Sequence, residues 1–234
     1  MIAKMLVRPI CRAILHQGLL GFNRHVIRII MRHILYLSPL LLLVTACFGA
    51  PEEAPLKGAT IGGAFTLVDQ NGDEVSYSDF DGQYRIMYFG YSYCPDVCPV
   101  DLQKLAQGFA AFEKAYPQRA KNIQPIFVTI DPERDTPDVM KNYVEAFHPR
   151  LIGLTGSEEQ IKETARKFAI YRAKREQEGF EEYLMDHSRQ TYLFDAAGKP
   201  LALLPVDNNE DGSPSTPEDI AAALDKWGPP AGDI

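Results

Sequence analysis

Two near-continuous apolar runs, residues 84–90 and 123–130, narrow the folds open to this chain more than anything else in it. A run without polar alternation suits a strand covered on both faces, as parallel strands of α/β sheets are. Pro125 weakens the start of the second run, because proline cannot donate to a ladder. Between the runs, Leu102, Leu105, Phe109 and Phe112 recur at helical spacing. They predict a helix opening near Pro99 and reaching about Tyr116, with these four residues in the core. Before the first run, residues 65–77 carry two short apolar stretches around Asn71-Gly72, a hairpin signature. After the second, Thr136-Pro137-Asp138 supplies a cap, a first-turn proline and an acid for another helix.

Residues 151–154 read as a short strand, and Ser157 with Gln160 forms a capping box for a helix expected to reach about Tyr171. Residues 190–194 and 200–205 flank Asp195-Ala196-Ala197-Gly198 as a second hairpin, and Thr216-Pro217 opens a last helix ending near Trp227. Hairpin, βαβα, short strand and helix, two strands, helix: this order fits an α/β fold, a thioredoxin-like sandwich with an N-terminal β-hairpin. The polar stretch 207–214 reads as a solvated connector.

Charge divides the chain. Residues 1–46 contain no Asp or Glu and hold Lys4, Arg8, Arg12, Arg24, Arg28 and Arg32, a formal +6. The whole chain is −7, so residues 47–234 carry −13. The split joins a targeting piece to an acidic domain, and an acidic domain without basic runs excludes nucleic acid as a partner. Met31-Arg32-His33 followed by the apolar run 34–46 has the form of an export signal, too short for the roughly 20 apolar residues that span a bilayer. Val44-Thr45-Ala46-Cys47 resembles the lipobox of bacterial lipoproteins, which implies cleavage before Cys47 and a lipid on its thiol. A plain signal peptide cleaved near Ala46 or Ala50, or an Arg-rich mitochondrial presequence, are the other readings; few serines argue against the last. Residues 48–63, rich in Gly, Ala and Pro, read as a flexible tether. The expected organisation is an export signal over 1–47, tether over 48–63, domain over 64–228 and tail over 229–234. Met1 and Met31 both stand as possible starts.

The domain has two cysteines, Cys94 and Cys98, placed just after the first buried strand, where α/β folds put their sites. Such a pair shuttles electrons as a dithiol, holds a soft metal, or forms a structural disulfide. Four residues apart, the two face the same side if the intervening chain takes a helical turn. Their sulfurs then reach one metal or each other. A helix N-terminus close by favours thiolate over thiol and lowers the proton cost of binding a metal.

Three blocks resemble the Sco/SenC family: residues 89–99 around Cys94-Pro95-Asp96-Val97-Cys98, residues 131–137 from Asp131 to Pro137, and Asp186-His187-Ser188 before a strand. They follow the family's order, and the resemblance covers about residues 60–228. It implies a membrane-tethered thioredoxin-like domain that binds copper and helps assemble cytochrome c oxidase, with subunit II as the copper acceptor. The copper ligands it implies are Cys94, Cys98 and His187. Ser92 stands where the family often has Thr. Many relatives keep a transmembrane helix, whereas this chain is expected to use a lipid at Cys47, exported to the periplasm-facing side of a bacterial envelope.

Two thiolates suit copper(I) and an imidazole suits copper(II) as well, so a Cys2His set serves both states. Alone, His187 reads as a hydrogen-bonded core histidine; its place before the terminal strand favours the ligand role. Asp186 either orients its ring or merely ends the preceding strand. Asp131 tunes the metal site or touches a partner, or else belongs to a turn in which Asp135 or Thr136 caps the next helix. Pro95 and Asp96 shape the loop, Tyr91 and Tyr93 line the site or meet the partner, and His148 reads as a cap or surface residue.

Three functions compete. The first is a copper metallochaperone, a binding and delivery protein rather than an enzyme. The second is a thiol-disulfide oxidoreductase using Cys94 and Cys98 to keep a cuproprotein's cysteines reduced, and the third is a thiol peroxidase. Three residues between the cysteines depart from the Cys-x-x-Cys of thioredoxin-type reductases. Arg189-Gln190-Thr191 also fills the place of their cis-proline without a proline, and Tyr91 stands where peroxidases have Thr or Ser.

Overall fold

The computed structural model describes residues 52–176 and 182–231. The expected export signal, the lipidated Cys47 and the start of the tether lie outside the described residues. In chain order the elements are β1 (Thr66–Asp69), β2 (Glu74–Ser76), a 3₁₀ turn (Tyr77–Phe80), β3 (Tyr84–Gly90), α1 (Val97–Ala115), α2 (Pro117–Lys121) and β4 (Ile123–Thr129). There follow α3 (Pro137–Glu145), β5 (Ile152–Thr155), α4 (Glu158–Lys167), β6 (Arg172–Arg175), β7 (Leu184–His187), β8 (Thr191–Phe194), β9 (Pro200–Leu204) and α5 (Pro217–Trp227).

The two apolar runs lie in the middle of a seven-stranded sheet of order β2-β1-β5-β4-β3-β8-β9. β3, β4 and β5 run parallel, and β1 and β8 join them antiparallel. This is the thioredoxin-like arrangement with the expected N-terminal hairpin. Ile86, Met87, Tyr88 and Phe89 of β3 are all buried, which accounts for the absence of alternation. The pleat sends Tyr88 to Phe127, ring centroids 6.1 Å apart, and Phe89 to Phe168 at 5.3 Å. β4 pairs with β5 only from Ile126, so Pro125 lies where β4 has one neighbour. α1 and α5 cross closely at Gly108, where a Cβ would come within 2.6 Å of Ile220.

Several boundaries differ from the sequence expectation, each for a local reason. α1 opens at Val97, two residues before Pro99, so Cys98 lies within its first turn. Proline is tolerated there because the first-turn N–H groups have no intrahelical acceptor. α4 stops at Lys167 because Ala169 takes a left-handed φ of 55° and Ile170 N–H closes on the Ala165 carbonyl at 2.8 Å. Part of the expected tether is docked: Leu56 N–H bonds the Leu201 carbonyl, Gly62 N–H bonds the Lys167 carbonyl, and Leu56 and Ile61 pack on the core. β6 and β7 form a separate two-stranded sheet that the sequence did not announce. Arg172-Ala173-Lys174-Arg175 has neither apolar alternation nor β-branched residues to mark it.

Candidate metal centre

β3 ends at Gly90, and the chain turns through residues 91–96 before α1 begins. Cys94 N–H bonds the Tyr91 carbonyl at 3.2 Å, and Cys98 N–H points at the Cys94 sulfur at 3.4 Å. The expected helical turn between them is absent: the chain bends at Pro95 and Asp96 and becomes helical only at Val97, and the contact of Cys98 N–H with the Cys94 sulfur is what brings the two sulfurs together. Glycine at position 90 is what lets Cys98 come so near the strand, since a Cβ there would lie 3.1 Å from its sulfur and 2.9 Å from the Tyr88 ring. Both cysteines are free thiols, Cys94 half-buried and Cys98 fully buried.

His187 closes β7 and brings Nε2 to 3.2 Å from the Cys98 sulfur. Its Nδ1 sits 2.6 Å from the Ser188 carbonyl. A carbonyl only accepts, so Nδ1 carries the donated proton and Nε2 faces the sulfurs, the orientation that metal-binding histidines need. Two sulfurs and one imidazole nitrogen lie within 4.8 Å of one another. Soft thiolates with an imidazole fit copper in either oxidation state.

The two thiols differ electrostatically. Hydrogen bonding from Cys98, and from the N–H groups of Cys98 and Asp96, pulls Cys94 down to about 3 against its partial burial. The neighbouring Cys94 sulfur and burial push Cys98 well above the ordinary thiol range. Of the pair, Cys94 is the sulfur that ionises first.

The surroundings answer the open readings. Tyr91 is 2% exposed and meets the His187 ring edge-on at 5.9 Å, whereas Tyr93 is 45% exposed. Tyr91 lines the site and Tyr93 faces outward. Asp186 does not orient His187: strand alternation turns it away, and it pairs with Arg175 at 3.2 Å. Asp131 is buried but away from the sulfurs, held by Arg134 Nε at 2.6 Å and the Tyr183 hydroxyl at 2.8 Å. Asp135 is no helix cap. It is buried and accepts from Ser92 N–H at 3.1 Å, from the Ser92 hydroxyl and from Thr129 Oγ1 at 2.5 Å. Burial raises its carboxyl above the usual range in spite of these bonds. Serine for threonine at position 92 keeps the hydroxyl this contact uses. Thr136 makes no side-chain cap either. His148 is no surface residue: it is buried, with Nε2 2.9 Å from Glu113, while its N–H closes on the Val144 carbonyl at the end of α3 at 3.3 Å, as a cap does.

Sequence reasoning missed Asp101, Arg134, Tyr183 and Arg189. Asp101, fully buried in α1, accepts Arg189 through both oxygens, at 2.9 and 2.7 Å, and the Tyr88 hydroxyl at 3.3 Å. An Asp among Leu102, Leu105 and Phe109 on the helix was the available signal. Arg134 and Tyr183 carried none, because their meeting depends on the unannounced β6–β7 hairpin. No cis peptide occurs among the described residues.

The family model described as SCO1/SenC matches residues 53–226. The chain is similar to SCO1 homolog 1, mitochondrial, of Arabidopsis thaliana, 45% identical over 145 residues that cover 62% of this chain and 42% of that protein. It thus spans less than half the length of that relative. It is 40% identical over 166 residues to an SCO2-like protein of Rickettsia felis, covering 67% of this chain and 79% of the relative. Among solved structures it resembles Bradyrhizobium japonicum ScoI with copper bound (TM-score 0.62, 36% identity, 71% of this chain and 99% of that one). It also resembles yeast Sco1 with copper bound (TM-score 0.60, 34% identity, 74% and 92%).

Proposed function

The chain belongs to the SCO1/SenC family, and on that footing we propose that it is a copper metallochaperone that assists assembly of the copper site of cytochrome c oxidase. The observation that carries this is the meeting of Cys94, Cys98 and His187, with all three ligand atoms within 4.8 Å. Copper is the cargo. The Cys94 thiolate is ready for the soft ion, Cys98 gives up its proton on binding, and His187 presents Nε2 with its ring held by the Ser188 carbonyl. Copper(I) is held chiefly by the sulfurs, and copper(II) also draws on the imidazole.

The acceptor is a copper-receiving protein of the oxidase, subunit II. The chain is exported by residues 1–47 and anchored through a lipid on Cys47, with the domain facing the periplasm of a bacterial envelope. Among the described residues no helix is long and apolar enough to cross a membrane. Labelling with a radioactive fatty acid tests the anchor: the label is expected on the wild type and absent from Cys47→Ser.

The second reading, a thiol-disulfide oxidoreductase, draws on the same reactive Cys94. There the Cys94 thiolate would attack a target disulfide, and Cys98 would resolve the mixed disulfide, leaving Cys94 and Cys98 oxidised and the target a dithiol. A cysteine held near 3 works against it, because a stabilised thiolate makes the dithiol a poor reductant. Copper(I) titration of the reduced protein against a chelator of known affinity separates the two. One copper per chain, lost in Cys94→Ala and Cys98→Ala, is the expected result. Absence of competitive binding together with rapid disulfide exchange would transfer the function to the oxidoreductase.

A further inference from the structure

The cysteines and the histidine reach the site on separate pieces of structure, and one side chain touches both. β7 has no partner in the seven-stranded sheet; its backbone ladder runs to β6 alone. The hairpin is fastened to the rest of the domain through residues 130–134, through Glu158 of α4, which takes both Arg172 Nη atoms at 2.6 and 2.9 Å, and through the buried Met185. Arg172 Nε donates to the Ile130 carbonyl at 2.8 Å, and the Tyr183 hydroxyl donates to Asp131 at 2.8 Å. Lys174 pairs with Glu133, and Arg134 Nη1 donates to the Tyr183 carbonyl at 3.0 Å. A further tie comes from the cysteine side, where Met185 N–H donates to the Tyr91 hydroxyl at 3.2 Å.

Arg134 stands where these ties converge. Its guanidinium carbon lies 3.8 Å from the Tyr183 ring centroid, 4.9 Å from that of Tyr93 and 5.6 Å from that of Tyr91. Asp131 fixes its Nε at 2.6 Å. Tyr183 belongs to the hairpin that carries His187, Tyr93 precedes Cys94, and Tyr91 meets the imidazole edge-on. Cation–π contacts on three rings, with the forked hydrogen bonds to Asp131 and Tyr183, set the distance between the two halves. Its Nη2 is buried without a hydrogen-bond partner, a penalty that is offset by the ring contacts and shows how far the group is enclosed.

We propose that Arg134, which supplies no ligand, is the positioning residue that holds His187 on the cysteine pair, and so sets how strongly the site takes copper(II) relative to copper(I). This rests on the copper reading of the site. Without the guanidinium, Tyr183 loses its carbonyl partner, Asp131 is left as an uncompensated buried carboxylate, and the hairpin loses its link to Tyr93. The sulfurs stay in place, because Gly90, Asp135 and α1 hold them independently.

The test uses the full chain with Arg134→Ala, Arg134→Lys and Tyr183→Phe, and His187→Ala as reference. Arg134→Ala is expected to lower copper(II) affinity roughly ten- to hundredfold, the range seen when partners of metal ligands are removed, and to weaken the nitrogen hyperfine coupling in the copper(II) EPR spectrum as His187→Ala does. Copper(I) affinity should change by less than about threefold, since the thiolates carry that state. Arg134→Lys keeps a cation over the rings without the fork and should fall between, with Tyr183→Phe shifted a few-fold in the same direction.

A readout without metal runs in parallel. In a Cys94→Ser background, alkylation of the buried Cys98, mapped by mass spectrometry, should quicken about tenfold in Arg134→Ala as the hairpin loosens. If the wild type binds copper in neither state, the copper reading fails, and the alkylation ratio still decides whether Arg134 holds the hairpin. A folded Arg134→Ala with unchanged nitrogen coupling and unchanged alkylation overturns the proposal, as does equal loss of both copper states. Should Arg134→Ala fail to fold, Tyr183→Phe decides on the same criteria.

Discussion

Cys94 and Cys98 stand behind a seven-stranded sheet, between the end of β3 and the first turn of α1. His187 stands at the end of β7, in a two-stranded sheet of four residue pairs. The first support is a ladder of backbone hydrogen bonds with apolar cover on both faces; the second is a hairpin fastened by Arg134, Tyr183, Arg172 and Lys174. Backbone ladders in a packed sheet open only with global unfolding, whereas an element held by a few polar side chains opens at lower free energy. The contrast teaches that Cys98 is built into the packed frame, with Cys94 on the short loop before it, while the histidine rides on an element fastened mainly by polar side chains.

The sharpest way to break this contrast is to remove one ligand from each half. Cys98→Ala or Cys94→Ala should weaken copper(I) by about a hundredfold or more, the scale of several kcal/mol that each ligand supplies in a tight site. His187→Ala should cost copper(II) more than copper(I). Equal loss of both states in His187→Ala would erase the division between the halves. Chelator competition in each oxidation state measures both.

Breaking the frame should act differently. Phe89→Ala leaves a hole between β3 and Phe168 and should destabilise the domain by about 3–5 kcal/mol in urea. The protein that remains folded should keep its ratio of copper(II) to copper(I) affinity; a changed ratio would mean that the sheet also positions the histidine. Gly90→Ala is a smaller wedge at the same frame. Its methyl would press on Tyr88, the Cys98 sulfur and Phe127 at 2.9, 3.1 and 3.2 Å. A loss of about 1–3 kcal/mol is expected, with weaker copper(I) binding as Cys98 is displaced.

The mildest probe reads the thiolate alone. Because Cys94 is held down to about 3, it stays ionised as pH falls toward 5. Its alkylation rate should therefore be nearly flat from about pH 5 to about pH 8 in the native protein. In the denatured chain the rate should rise about tenfold per unit below the ordinary thiol pKa of about 8.5. A native rate that climbs with pH in the same way would show that the surroundings do not stabilise the thiolate.

How much of this was legible follows from the range of each interaction. The central strands were, because burial on both faces leaves a near-continuous apolar run in 84–90 and 126–130, broken only by Arg85 and Thr129. The helix starts at Ser157 and Thr216 were, because a capping box is written within four residues: Ser157 accepts from Gln160 N–H and Thr216 from Asp219 N–H. Cys94 and Cys98 were, since they lie four residues apart at the exit of β3, although a bend at Pro95 and Asp96 rather than a helical turn relates them. The role of Asp135 was misjudged because an acid beside a helix start looks like a cap, and Asp131 does belong to the expected turn, its carbonyl accepting from the Asp135 N–H at 3.0 Å. Here each is turned inward to a partner, Asp131 to Tyr183 across 52 residues and Asp135 to Ser92 across 43. The β6–β7 hairpin was hidden because its residues are charged and its stability lies in what they touch.

The amino-acid sequence thus determined by itself the strand and helix order, the thioredoxin-like class and the cysteine pair, because these rest on local propensity and on the period of apolar residues. Only the tertiary structure decided that the surroundings lower the pKa of the Cys94 thiol below that of Cys98, that the Ser188 carbonyl rather than Asp186 orients His187, and that Arg134 touches both halves of the site. Those outcomes depend on the desolvation, direction and distance of groups far apart in the chain, quantities that take a value only once the chain has folded.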